Sequence, residues 1–281
     1  MPDMTREEHV ARVTAWRADR EERLRRPDGW LTLVGLHWLV PGENHLGAHP
    51  ANQVVLHGHE VPPRVATLKL QGGSVRLQPH DGVRLLHAGA PVGEMMLDDD
   101  RDEQPTVLEL GTLRLHLIRR GDRVGLRIRD AAAPARQRFS GIDCFPIDPT
   151  WRIAARFEAA APQATLEIVD VTGTISRLPK PGSVAFEREG GSWRIAALPG
   201  GDDGSLWLIF GDATNGTDTY GGGRYLYTEP PLPDGSVVVD FNLAYNPPCV
   251  FSPHATCPLP PPPNRLALRI EAGERAYHAS E

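Results

Sequence analysis

Alternation of apolar and charged residues is the feature that most constrains the fold of this 281-residue chain. In the segment 112–130, TLRLHLIRRGDRVGLRIRD, apolar residues alternate with arginine and histidine on both sides of a turn at Gly121 and Asp122. Successive side chains of a strand point to opposite faces, so this segment predicts a β-hairpin. Its apolar face would lie against a core, and its arginine face is expected to meet water or an anion, with solvated arginines as the favoured interpretation.

The same pattern recurs in the second half of the chain, with turn residues between the runs. The segments are ATLEIVDVTGTI, SVAFER, SWRIAAL, SLWLIFGDA, RYLYT and SVVVDFN. Short strands at such spacing, without helical periodicity between them, favour sandwiches or barrels. Alternation lapses into alanine and proline at 130–141, DAAAPARQRFSG, which indicates a domain boundary. We therefore expect a mostly β protein, with a β-sandwich over 28–132 and a second antiparallel sandwich or barrel module over 136–276.

One helix is predicted, at the start of the chain. Thr5 and Glu8 form a capping-box pattern, in which each side chain bonds the backbone N–H of the other residue. Pro27 ends the helix, because a proline pushes the residue before it out of the α region. We expect an amphipathic helix over 5–25, within a separate N-terminal segment 1–27. Its apolar face would contain Val10, Val13, Trp16 and Leu24.

Composition and charge exclude several classes of partner. The net charge of −6 argues against nucleic-acid binding, which rests on a clustered positive field. No run of about 18 apolar residues is present to span a membrane, and the charged N-terminus lacks the apolar stretch of an export signal. We expect a cytoplasmic protein. The sequence also lacks a Walker loop, a dinucleotide fingerprint, an H-E-x-x-H motif and a G-x-S-x-G elbow, so no cofactor is predicted.

The C-terminal third contains the main candidate site. If a turn is centred on 231–233, two strands pair as a hairpin and Arg224 faces Asp240. Asn242 would share their face, and an enclosed arginine and aspartate would need one another. The tyrosines and apolar residues expected on the opposite face are Tyr225, Tyr227, Val237, Val239 and Phe241.

Rigid and glycine-rich segments flank this hairpin. Tyr245 and Asn246 precede two prolines that fix the backbone, so the segment holds its polar side chains in place. This rigidity serves a binding site or structural cross-links between loop and sheet equally well. Upstream, the backbone N–H groups of Gly221–Gly223 would cradle an anion, or the run would form a flexible turn or bulge.

Two cysteines and a histidine near residue 250 are candidates for a metal site or a catalytic site. Cys249, His254 and Cys257 have zinc-ligand chemistry, but no fourth ligand is evident and no metal site is predicted. A disulfide between the two cysteines, and Cys249 as nucleophile with His254 as base, remain alternatives. Two buried, reduced thiols are the favoured interpretation.

The first half of the chain resembles a forkhead-associated (FHA) domain. LVPGENHLGAHPANQVVL resembles the opening of that sandwich, and LLHAGAPV resembles a later small loop. FHA domains carry an arginine where this chain has Ala48. They also bind phosphothreonine with a serine and a histidine where this chain has Pro62, Pro63 and Val65. The resemblance implies the sandwich, without phosphopeptide binding.

A second resemblance covers nearly all of residues 28–274. DGWLTLVGLHWLVPGENHLG, SGIDCFPIDPTWRIAARF, FGDATNGTDTYGGGRYLY and VVVDFNLAYNPPCVFSPHATCPLPPPPNRLALRIEAGE resemble the bacterial and archaeal family called domain of unknown function 1684. That resemblance implies no established activity. It implies that certain residues occupy positions of the family motif: Thr219, Tyr220, Arg224, Asp240, Asn242, Tyr245, Asn246, Cys249, Cys257 and Asn264.

Three functional hypotheses follow from the sequence. The leading one is that the C-terminal module binds a small polar or anionic ligand through Thr219, Tyr220, Arg224, Asp240, Asn242, Tyr245 and Asn246. The second is a hydrolase-type enzyme that uses Asp240 or Tyr245 as an acid–base group. The third is a protein-interaction module that docks a protein partner through the degenerate FHA-like half.

Overall fold

The protein folds into two compact modules. The computed structural model describes residues 4–58 and 60–278. The N-terminal module spans Arg26–Gln137, and the C-terminal module contains the residues up to Arg25 together with those from Arg138 onward. Helix α1 (Arg6–Arg25) thus packs within the C-terminal module instead of forming a segment of its own.

The N-terminal module is a β-sandwich with a short helix α2 (Pro134–Gln137) at its end. One sheet has the order β1-β11-β10-β9-β6-β7 and the other the order β3-β2-β4-β5-β8. The strands are β1 (Leu33–Trp38), β2 (Gly42–Gly47), β3 (Val54–Val55), β4 (Ala66–Gln71), β5 (Ser74–Pro79), β6 (Leu86–His87), β7 (Ala90–Pro91), β8 (Met95–Leu97), β9 (Val107–Leu110), β10 (Leu113–Arg120) and β11 (Arg123–Asp130).

Apolar side chains from both sheets share one core. Leu46 and Leu68 of one sheet and Leu115 and Leu126 of the other are fully buried in the same cluster. The sandwich and the predicted β10–β11 hairpin are therefore confirmed.

The arginine face of this hairpin differs from the prediction. Arg127 is only 6% exposed. Its guanidinium carbon lies 5.5 Å from the ring centroid of Trp30, and that of Arg129 lies 5.1 Å from the same ring. Solvated arginines were the wrong interpretation at these two positions, because the tryptophan after α1 covers them.

The C-terminal module contains a curled six-stranded antiparallel sheet of order β18-β17-β16-β15-β12-β19, and a separate β13-β14 hairpin. The strands are β12 (Arg152–Ala159), β13 (Thr165–Val169), β14 (Ile175–Pro179), β15 (Gly182–Arg188), β16 (Gly191–Pro199), β17 (Leu206–Phe210), β18 (Arg224–Thr228) and β19 (Ser236–Asp240). Single 3-10 turns contain Phe241–Leu243, Pro248–Val250 and Pro262–Asn264.

Three phenylalanines form the centre of the core that this curled sheet encloses. The ring centroid of Phe241 lies 5.5 Å from that of Phe186 and 5.4 Å from that of Phe210, in edge-to-face arrangements. Leu226 of one edge strand and Val239 of the other belong to the same cluster. The mostly β fold with two β modules is therefore confirmed.

A segment that we call the strap, residues 264–274, covers one side of this core. Leu266, Leu268, Ile270 and Ala272 are buried in the cluster, and the residues between them are exposed. The strap runs alongside the residues that come directly after β17. Leu266 donates its N–H to Gly211 O (2.8 Å), and Ala213 donates its N–H to Leu268 O (2.9 Å). It lies against the sheet without becoming a regular strand.

Helix α1 begins as the capping box predicts. Thr5 N donates to Glu8 Oε2 (2.8 Å), and Glu8 N donates to Thr5 Oγ1 (3.2 Å). Its buried residues are His9, Val13 and Leu24, so a histidine lies on the face that was expected to be apolar. Within residues 4–58 and 60–278, no helix is long and apolar enough to cross a membrane.

Candidate functional site

Arg224, the expected anchor of a ligand, is completely enclosed by the protein. Its Nη2 donates to Asp212 Oδ2 (2.9 Å) and Ile270 O (2.8 Å), and its Nη1 donates to Ala272 O and Glu274 O. All four terminal N–H bonds are thus used, three of them on strap carbonyls. Burial lowers the pKa of Arg224, and the Asp212 carboxylate opposes that change.

Asp240 is not the partner of Arg224, and the predicted hairpin between their strands is wrong. Strands β18 and β19 lie at opposite edges of the six-stranded sheet, and Asp240 pairs with Arg152 of β12. The Asp240 carboxylate accepts hydrogen bonds from His9 Nε2 (2.7 Å) and from Asn242 N (3.1 Å) and Nδ2 (2.9 Å). Both of its oxygens are therefore engaged, which removes support from the hydrolase hypothesis.

The faces of these two strands also differ from the prediction. Val237, Val239 and Phe241 are in the core, but Tyr225 and Tyr227 pack with Trp207 on the other side of the sheet. The five residues do not share a face, because Leu226 is the residue of β18 that points into the core and its neighbours Tyr225 and Tyr227 therefore point away from it.

Thr219 and the glycine run brace the Arg224 network. The Thr219 hydroxyl bonds Thr214 Oγ1 (2.8 Å), and the Thr214 N–H is held by Asp212 Oδ1 (2.8 Å). Gly223 has φ +87°, and a Cβ added there would lie 2.4 Å from Pro260 Cγ and 2.6 Å from Phe210 O. The last glycine therefore permits a close approach of its backbone to Pro260 and to the end of β17.

Asn242 and Asn246 are structural cross-links. Asn242 exchanges hydrogen bonds with the backbone of Asp148 through its Oδ1 (3.0 Å) and Nδ2 (2.9 Å). Asn246 Nδ2 donates to Arg275 O (2.7 Å), and both asparagines are fully buried. Of the two interpretations of this rigid segment, their contacts favour loop-to-sheet bracing.

Tyr245 lies beside helix α1, under an arginine. The guanidinium carbon of Arg20 is 4.8 Å from the Tyr245 ring centroid, and the Tyr245 ring also packs against Trp16 and Tyr225. Burial raises the pKa of Tyr245, which keeps its phenol neutral. The residue supplies a packed aromatic wall for α1.

A buried ion pair connects α1 to the strap at this point. Arg20 donates from Nε to Glu274 Oε1 (3.1 Å) and from Nη2 to Asn246 O (2.9 Å). Glu274 Oε2 accepts the Asn246 N–H (2.6 Å), and only 2% of the Glu274 residue is exposed. Burial raises the pKa of Glu274, which Arg20 opposes.

A polar cleft opens beside this pair, and we call it the helix cleft. Its volume is about 290 Å³, at the lower end of the range of ligand pockets. Burial raises the pKa of the Cys144 thiol in it to about 11, so that thiol is neutral. The lining residues are Arg17, Arg20, Glu21, Ile142, Asp143, Cys144 and Glu274.

Two charges of the helix cleft remain without an ion pair. Glu21 pairs with Arg25, and Glu274 pairs with Arg20. Arg17 makes one hydrogen bond, from Nη2 to Phe145 O (3.0 Å), and its buried Nε has no partner among the residues that the structure describes. Within the same described ranges, Asp143 has no salt bridge. A guanidinium and a carboxylate thus line one cavity without neutralising each other.

The sequence signals for this cleft are weak. Arg20 follows Trp16 by four residues and precedes Leu24 by four, and a charge on that stripe indicates a buried partner. Glu274 ends the long C-terminal motif. Asp143 lies in the motif SGIDCFPIDPTWRIAARF, but nothing in that motif singles it out, and Arg17 carries no signal at all, so sequence reasoning missed both.

Tyr220, Cys249 and Cys257 form a separate cluster. Cys249 donates its backbone N–H to Cys257 Sγ (3.0 Å) and its S–H to Tyr220 Oη (3.6 Å). Burial raises the pKa of Tyr220. His254 does not complete a metal site, because the described ranges contain no group of three or more candidate ligands.

The N-terminal module has a larger cavity of its own, of about 590 Å³. It is lined by loop residues that include His49, Asn52, Arg64 and His80. Asn52 is buried and donates to Pro63 O (2.8 Å), which fixes two of these loops together.

The fold and these sites define a class: a two-module β protein with a polar cleft in its second module. Residues 137–275 match the family model described as Protein of unknown function (DUF1684). The chain is 33% identical to the uncharacterized protein from gene locus rrnAC0354 of Haloarcula marismortui, over 50% of this chain and 78% of that one, with a TM-score of 0.42. The chain belongs to the DUF1684 family.

A further comparison concerns the FHA resemblance. A structure solved for phosphothreonine-dependent FHA domain interactions is 20% identical over 34% of this chain and 92% of that one. Its TM-score is 0.25. No curated protein matches the chain.

Proposed function

We propose that the C-terminal module binds a small polar ligand with an anionic group in the helix cleft. The observation that carries this proposal is that Arg17, whose Nε has no partner among the described residues, lines one cavity with the exposed carboxylate of Asp143. A ligand carboxylate or phosphate would accept from Arg17, whose planar fork of donors suits such groups. A ligand ammonium or hydroxyl would donate to Asp143.

The Arg20–Glu274 pair would form the fixed wall of this site. Both side chains are nearly buried and hydrogen-bonded to the backbone or to each other. A charged ligand that binds there meets donors already held in place, so these side chains lose little conformational entropy on binding. Arg224 has no part in this proposal, because its terminal donors are used within the fold.

Ligand-dependent melting tests the proposal. The full chain is screened against amino acids, dicarboxylates and phosphate esters, and a bound ligand at 100 times its Kd would stabilise by about 2.7 kcal/mol. The Arg17→Met variant should lose the rise in melting temperature, and Asp143→Asn should lose it for ligands that carry an amine. Arg23→Met is the matched control, since Arg23 is exposed on the same helix and pairs with Asp19.

Two results would contradict the proposal. One is a panel in which no compound shifts the melting temperature of the wild-type chain. The other is a ligand that shifts Arg17→Met and Arg23→Met by the same amount as the wild type.

A second candidate function is protein interaction through the N-terminal module. Its larger cavity is lined by Arg64 and by one carboxylate, Asp81, with His49 and His80 as further hydrogen-bonding groups, and Arg64 would bind a carboxylate of an acidic peptide segment. Fluorescence anisotropy with a labelled acidic peptide should show binding that weakens with salt and is lost in Arg64→Ala. Equal binding to Arg64→Ala would refute this candidate.

A further inference from the structure

Cys249 and Cys257 are held against each other in the reduced protein. The 3.0 Å hydrogen bond joins the backbone nitrogen of one residue to the sulfur of the other. Only three covalent bonds separate that nitrogen from Cys249 Sγ, so rotation about χ1 of Cys249 is the main movement needed to bring the sulfurs together. A disulfide needs an S–S distance of about 2.05 Å and Cβ atoms about 3.5–4.5 Å apart.

The backbone around both thiols is fixed. Cys249 sits in the 3-10 turn Pro248–Val250, which Val250 N→Pro247 O (3.1 Å) closes. Cys257 O accepts the N–H of Val171 (2.9 Å), which ties it to the end of β13. The two residues therefore stay close without any rearrangement of the sheet.

The two thiols differ in access. Cys249 is partly exposed, and Cys257 is 4% exposed beneath it. We propose that this pair is a site of reversible oxidation, in which Cys249 reacts with a hydroperoxide and Cys257 resolves the product as an intramolecular disulfide.

The reaction has two balanced steps. The Cys249 thiolate attacks one peroxide oxygen, so an S–O bond forms, the O–O bond breaks, and the other oxygen leaves and takes up a proton. The Cys257 sulfur then attacks the sulfenic sulfur; the S–S bond forms, the S–O bond breaks, and water leaves with the thiol proton. Two thiols and one hydroperoxide give a disulfide, one alcohol and one water, and the sulfurs lose the two electrons that the peroxide gains.

Local hydrogen bonds support this order of reaction. Hydrogen bonds that Cys257 and the Tyr220 hydroxyl make to the ionised sulfur lower the pKa of Cys249 to about 7. The thiolate is the nucleophile, so a neutral-pH population of it at the more accessible sulfur favours attack there. The pKa of Cys257 is raised, so Cys257 stays protonated while Cys249 reacts, and its proton passes to the departing oxygen when it attacks the sulfenic sulfur. Cys144 has a pKa of about 11 and is the internal control.

The test uses the full chain, reduced and then treated with hydrogen peroxide near neutral pH. Thiols counted after denaturation should fall from three to one. The tryptic peptide between Arg224 and Arg265, which contains both cysteines, should lose two hydrogen atoms and regain them with dithiothreitol. Cys144→Ser should oxidise in the same way.

Two variants assign the roles. Cys257→Ser should stop at the sulfenic acid and form a dimedone adduct at Cys249, whereas Cys249→Ser should leave Cys257 unmodified. The proposal is overturned if the wild type keeps three thiols in peroxide that oxidises free cysteine. It is also overturned if the bond involves Cys144 or joins two molecules. The wild-type and Cys144→Ser measurements decide the matter even if another variant fails to fold.

Discussion

Arg224 and Arg17 are both arginines of the C-terminal module, but their donors are used differently. Arg224 has every terminal N–H on Asp212 or on the strap, whereas Arg17 makes one bond and lines a cavity. A buried guanidinium without partners would cost several kcal/mol, so the Arg224 contacts are a requirement of folding. Apart from the bond to Phe145 O, the donors of Arg17 have no partner among the described residues and line the helix cleft.

Replacement of Arg224 by methionine should destabilise the protein strongly. The change leaves the buried Asp212 carboxylate unpaired and three strap carbonyls unsatisfied, and breaking such a pair costs about 3–5 kcal/mol. Urea unfolding followed by tryptophan fluorescence measures it. Arg269→Met is the control, because this strap arginine is exposed and solvent screens its ion pairs. Similar losses in the two variants would refute the assignment.

Asp99 should make the stability of the N-terminal module depend on pH in the acidic range. Burial alone would raise the pKa of Asp99, but hydrogen bonds from Arg101 and Arg119 outweigh it and lower that pKa from 3.8 to about 2. The folded chain therefore binds this proton less tightly than the unfolded chain. The stabilisation is present above pH 3.8 and is lost as pH falls from there toward about 2.

The variant Asp99→Asn isolates this contribution. Arg101 is solvent-exposed, so solvent screens its interaction with Asp99. We expect the free energy of unfolding to fall by about 1–2 kcal/mol at neutral pH. The difference from the wild type should narrow as pH is lowered through the window given above. Free energies of unfolding in urea at several pH values measure it, and a constant difference would count against the shifted pKa.

Some site residues were predictable from sequence and others were not. Asp240, Asn242 and Asn246 stand in a rigid segment of alternating polarity, and all three are engaged by side chains or backbone in the fold. Their partners were not predictable. The bond between His9 and Asp240 joins residues 231 positions apart, and no local pattern encodes such a contact.

At the scale of elements, the glycines directly before β18 differ in how much space a side chain would have. Gly223→Ala should cost about 1–3 kcal/mol or more, because its φ of +87° and its approach to Pro260 and Phe210 leave no space for a Cβ. Gly221→Ala should be close to neutral, since the nearest atom to its added Cβ is 3.8 Å away. Thermal melting of both variants measures this. Equal effects would mean that the close approach does not constrain the turn.

Local elements were predicted well and strand partners were not. The capping box sets the start of α1, and alternation around Gly121 and Asp122 sets the β10–β11 hairpin, because both signals lie within a short stretch. The segment between β18 and β19 resembles a hairpin turn in the same way. Each strand nevertheless pairs elsewhere, β18 with β17 and β19 with β12, since alternation gives the buried face of a strand and not its neighbour.

At the scale of the molecule, α1 contributes to the stability of the C-terminal module. His9→Phe removes a buried donor from Asp240, so local opening of that edge becomes easier. Hydrogen exchange should accelerate at the amides of β12 and β19 and stay unchanged at β10 and β11. Arg12→Ala is the control, because its ion pair with Glu229 is exposed. Faster exchange in both modules would contradict this division.

The C-terminal module is encoded in two pieces, with all of Arg26–Gln137 between them. During synthesis, α1 leaves the ribosome long before residues 138–278, and its Val13 and Leu24 are buried only in the complete fold. The nascent chain therefore carries an amphipathic helix with an open apolar side while the inserted sandwich completes itself first. We therefore expect chaperones to bind that helix during synthesis, and a chain that stalls before β19 to aggregate.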